Sequence, residues 1–116
     1  MKIKTITILL LSALSLNAAF TTSELKQMEN ETNAEFRSMG MQTKAMSCRV
    51  YNSGSATLCF EYVGKLIDIQ EPATVIKSLE TSMRDSIGYE FRRGLRRLGY
   101  KYVMVKAAGR VAYIVL

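Results

Sequence analysis

The chain contains no histidine, and that absence closes most familiar routes to catalysis at neutral pH. No imidazole is available as general base, as partner to a nucleophile, or as a zinc or copper ligand. A glycine-rich phosphate loop, a cluster of metal ligands and a Gly-x-Ser-x-Gly turn are missing as well. Serines and lysines are present, but at no spacing that marks a nucleophile with its base. The composition argues against an enzyme and implies neither cofactor nor metal. Without histidine beside them, the seven methionines read as adaptable packing rather than a copper site.

Other shortages are positional. After Glu90 there is no acid, while Arg92, Arg93, Arg96, Arg97, Lys101, Lys106 and Arg110 follow. No hydrophobic run approaches the roughly 20 residues that span a bilayer as a helix: the mostly apolar stretch from Ile6 to Leu16 is about eleven residues long. Lys2 and Lys4 precede it and Ala18 and Ala19 follow, which is the three-part layout of a secretory signal peptide. Residues 1–19 are therefore expected to be a cleaved signal, residues 20–116 a single small domain, and the location periplasmic or secreted. No cysteine stands at the cut, so a lipid anchor is disfavoured. Without Lys2 and Lys4 the chain carries 14 cations against 10 acids.

Cysteine occurs only at positions 48 and 59. The stretch CRVYNSGSATLCFEYV has the β-branched and aromatic flanks of a hairpin around Asn-Ser-Gly-Ser. With Ser53 and Gly54 at the centre of the turn, Cys48 falls opposite Cys59, at a separation a disulfide accepts. Export strengthens the expectation of a structural bridge. Closing a loop of about 12 residues would stabilise the fold by roughly 2.8 kcal/mol. In that register Tyr51, Leu58, Phe60 and Tyr62 share one face, and residues 64–70 are a candidate third strand.

Helices are expected on either side. Thr21 with Glu24 forms a capping box, and Leu25, Met28, Thr32, Phe36 and Met39 recur at helical steps within residues 21–46, with a break at Gly40. Pro72, the single proline, suits a first helical turn. From there Val75, Ile76, Leu79, Met83, Ile87, Phe91, Leu95 and Leu98 predict one long helix ending at Gly99. Two apolar strands turning at Ala108 and Gly109 close the chain. The order helix, disulfide-stapled hairpin, helix, hairpin predicts an α+β domain with helices packed on an antiparallel sheet.

On a helix, Arg92, Arg93, Arg96 and Arg97 share an arc of roughly 140°. They complement the negative end of the helix dipole, and with Lys101 they also form a candidate patch for anionic ligands. For an exported protein such ligands are lipid phosphate, lipopolysaccharide or acidic polysaccharide, and nucleic acid is disfavoured because no base-reading motif is present. Val111, Tyr113 and Val115 alternate with Ala112, Ile114 and Leu116, so both faces of the last strand are apolar. Something must cover the second face: the first helix, a partner or a second copy. The leading expectation is a non-catalytic envelope module that binds another protein, as an accessory subunit or inhibitor, or self-associates through this strand. Binding of anionic envelope ligands through the arginine patch is the alternative.

Overall fold

The computed structural model describes residues 19–116; the expected signal peptide lies almost wholly outside them. The order is α1 (Thr22–Ser38), β1 (Ser47–Asn52), β2 (Thr57–Val63), α2 (Lys65–Asp68), α3 (Pro72–Ser86), α4 (Tyr89–Arg97), β3 (Tyr102–Ala107) and β4 (Arg110–Val115). The four strands form one sheet in the order β1-β2-β3-β4 with helices packed on it, an α+β domain.

The sheet is mixed rather than antiparallel. Each hairpin is antiparallel, but β2 and β3 run parallel at the centre. Local alternation reveals a hairpin but says nothing of how two hairpins meet. The helical crossover between β2 and β3 carries the chain back to the end where β2 began, which is what a parallel pair requires.

α1 starts at the expected capping box: Thr21 Oγ1 accepts from the Glu24 amide and Glu24 returns a bond to the Thr21 amide. It buries Leu25, Met28, Thr32 and Phe36, and ends at Met39, before Gly40 at φ 84°. The segment expected as a third strand is instead the short helix α2, whose Ile67 and Asp68 amides bond to Gly64 O. Gly64 has φ 131°, and a Cβ there would lie 2.7 Å from the carbonyl carbon of Ala45, so only glycine fits this close approach.

The long helix expected from residue 72 to Gly99 is two helices. Ile87 (ψ 97°) and Gly88 (ψ 176°) are extended between α3 and α4. A straight helix of that length would run about 40 Å, whereas a six-residue strand spans about 20 Å. The bend at Gly88 lets the apolar series continue round the core: Val75, Met83, Ile87, Phe91, Leu95 and Leu98 are all buried.

The first hairpin does not have the expected register. Residues 53–56 make a wider loop, closed by the Ser53 amide on Thr57 O, and Cys48 pairs with Tyr62 while Tyr51 pairs with Cys59. The shift is three residues. An odd shift turns every side chain of one strand to the opposite face relative to its partner. Cys48 therefore points to the core face with Leu58, Phe60 and Tyr62, whereas Cys59 and Tyr51 point to the other. Both cysteines are free thiols and no disulfide joins them, because the sheet stands between their side chains. The second hairpin does turn at Ala108 and Gly109, with φ of 53° and 75°, the two positive values of a tight two-residue turn.

Candidate functional site

Alternation along the four strands sorts their side chains into two layers. On one layer, Cys48, Val50, Leu58, Phe60, Tyr62, Val103, Val105, Ala107 and Ile114 join the buried residues of the helices in a single core. α1 contributes to that core too, its Phe36 ring 6.3 Å from that of Tyr62. The first helix, one of the three candidate covers for the second face, thus lies on the first.

Among the described residues no helix adds a buried side chain to the other layer. It carries Tyr51, Cys59, Glu61, Tyr102, Met104, Lys106, Val111, Tyr113 and Val115. Its centre is dry: Cys59 is fully buried and Met104 nearly so, sheltered by side chains of the same face. Tyr102 and Tyr113 meet edge-on with ring centroids 6.2 Å apart. Tyr51 bonds Glu61 across the hairpin at 3.3 Å, and Glu61 stands opposite Lys106 on β3. Towards β4 the layer becomes open and apolar, with Val111, Tyr113 and Val115 exposed by 49, 54 and 66%. This is a graded surface, polar and closed at β1 and β2, apolar and open at β4.

Neither thiol is a nucleophile here. Burial pushes the Cys48 thiol well above its ordinary range. Burial also raises that of Cys59, with the Tyr51 hydroxyl acting only partly against it. Both are protonated at neutral pH, so they pack rather than react.

The sheet's two edges differ. In β1 the outward-facing backbone groups are met by α1: Asn33 accepts from the Cys48 amide at 2.8 Å and donates to its carbonyl at 3.0 Å, while Glu29 accepts from the Val50 amide at 3.1 Å. Just past the end of β4 the Leu116 amide donates to the carbonyl of Lys101, the residue before β3. With the antiparallel alternation, the inward residues are then Ala112, Ile114 and Leu116, and the outward ones Val111, Tyr113 and Val115. Of these outward groups, the Val115 carbonyl accepts from Arg92 Nη1 at 2.6 Å.

α4 presents the arginines. Phe91 and Leu95 are buried, Arg92 is half-buried against the end of β4, and Arg93, Arg96 and Arg97 are exposed. Lys101 is exposed just before β3. Among the described residues none of the cations after Glu90 forms an ion pair; the pairs that occur are Lys26–Glu29 and Arg84–Glu80. The four arginines thus lie on one helix and Lys101 beyond its end, with Arg92 bonded to the Val115 carbonyl. A shallow groove of about 770 Å³ also runs along α3 past Thr74, Lys77, Ser78 and Asp85. Among the described residues there is no cluster able to hold a metal ion, and no helix is long and apolar enough to cross a membrane.

No family model, curated protein or solved structure matches the chain. The surface must be read from its own chemistry.

Proposed function

We propose that the chain is an exported, non-catalytic protein-binding module whose contact surface is the uncovered sheet face on the β4 side. One observation carries this reading: Val111, Tyr113 and Val115, with Tyr102 beside them, form a contiguous exposed apolar patch on an ordered strand, and patches of this kind mark interaction surfaces. The dry centre at Cys59 and Met104 and the paired tyrosines suit it, since aromatic anchors dominate binding energy at low entropic cost. Export rests on residues 1–19.

A photo-crosslinking residue at position 113, in the protein produced in its own cells, is expected to give a discrete protein adduct. The same residue at Lys77, on the outer face of α3, should give none. Equal labelling at both positions, or labelling at neither, would refute the assignment. The second reading, anionic envelope ligands held by Arg93, Arg96 and Arg97, is favoured by their exposure without acid partners. Binding through them weakens steeply with salt, whereas binding through the apolar face does not.

A further inference from the structure

We infer that the β4 edge is completed by an extended strand of the partner in which acidic and apolar residues alternate. The inference rests on the reading of the uncovered face as a protein-binding surface and adds how the partner is held. Exposed strand edges template pairing with other chains, and folded proteins ordinarily guard them. This fold guards one edge and leaves the other: Asn33 and Glu29 occupy β1, while on β4 Arg92 closes only the terminal carbonyl of Val115. Val111 and Tyr113 are left with outward amides and carbonyls for a visiting backbone, the arrangement used in strand addition.

The two sides of this edge specify the visitor. On the open side stand Val111, Tyr113 and Val115, so the visitor's side chains there are apolar. On the helix-bearing side, Arg110 begins β4 and Arg92 reaches its end from α4, whose Phe91 and Leu95 belong to the core on that side. Arg93 and Arg96 adjoin Arg92 on α4, and Arg110 forms no ion pair among the described residues, the Glu71 carboxylate interacting with it only through space. Acids on the visitor's second side meet these cations. A visiting strand thus alternates acid with apolar residue, because successive side chains point to opposite faces. A second copy of β4 would instead bring its own Arg110 and Arg92 against them.

The test uses residues 20–116 and a fluorescein-labelled peptide, acetyl-EVEYEVE-amide, beside a control with lysine for glutamate. The acidic peptide is expected to bind and to slow hydrogen exchange at the Val111 and Tyr113 amides by about tenfold or more at saturation; the lysine peptide should not bind. Tyr113→Pro removes an outward amide and no bond to β3, so edge pairing predicts that it weakens binding about tenfold beyond Tyr113→Ala, the worth of one hydrogen bond. Exchange at the two amides in the unaltered protein gives the same answer should Tyr113→Pro fail to fold. Equal effects of the two substitutions, or binding without amide protection, overturn edge pairing and leave the face-binding reading standing. Absence of binding at about 1 mM peptide, or a dimer of the free protein that Tyr113→Pro dissociates, overturns the acidic-strand assignment.

Discussion

Replacing Asn33 with alanine tests whether α1 is fastened to the sheet by its side-chain amide or merely rests on it. The amide makes two bonds to Cys48, accepting from its N–H at 2.8 Å and donating to its carbonyl at 3.0 Å. Each is worth about 1 kcal/mol net, so their loss costs about 2 kcal/mol. Alanine is the better helix former by about 0.6 kcal/mol, which offsets part of this. A net loss near 1.4 kcal/mol remains, and for a domain of this size it lowers the thermal midpoint by about 6–11 °C. Thermal and urea denaturation followed by circular dichroism would measure it, with an unchanged urea slope showing that the compactness of the end states is preserved. Asn33→Asp is the sharper variant: it keeps the acceptor for the Cys48 amide but turns a carboxylate oxygen onto the Cys48 carbonyl. It should destabilise at least as much as alanine at neutral pH. A loss below about 0.5 kcal/mol for both, in the range of ordinary surface substitutions, would show that water replaces the amide and that the clamp is incidental. Glu29 supplies a pH signature for the same edge. Burial pushes its carboxyl up, but the Lys26 ammonium and the Val50 amide outweigh this and hold it below the usual value. A folded-state value depressed below the unfolded one stabilises above about pH 4.5, and that stabilisation is lost as pH falls through the folded value. Glu29→Gln should flatten this acid-side decline.

The two thiols should resist a thiol reagent in the native protein and react together once it unfolds, in protein recovered with reoxidation prevented; an intrachain Cys48–Cys59 bridge would refute the hairpin register. Gly64→Ala should destabilise by about 2 kcal/mol or more, since it combines a strained positive φ with a clash against the Ala45 carbonyl; an unchanged midpoint would mean that the loop of residues 44–46 yields freely.

Much of the local structure was legible in the chain. Thr21 and Glu24, Pro72, Gly99, and the Ala108–Gly109 turn act within a few residues of themselves, and each marks the end or turn expected of it. The two-sided apolar pattern of residues 111–116 is equally local, and it placed Val111, Tyr113 and Val115 on one face. The register of the first hairpin was not legible, because serine, glycine and alanine permit several loop lengths, and a shift of three residues separates paired cysteines from cysteines on opposite faces. Nor was the break at Gly88, because the apolar series runs unbroken through it and a straight helix would outrun the sheet beneath. What the chain itself dictated was a last strand apolar on both sides, in a segment that carries cations and no acid after Glu90. Tertiary structure decided which side stayed uncovered, because α1 spends its apolar stripe on the core and its Asn33 and Glu29 on the far edge, leaving β4 as the edge that no helix clamps in that way.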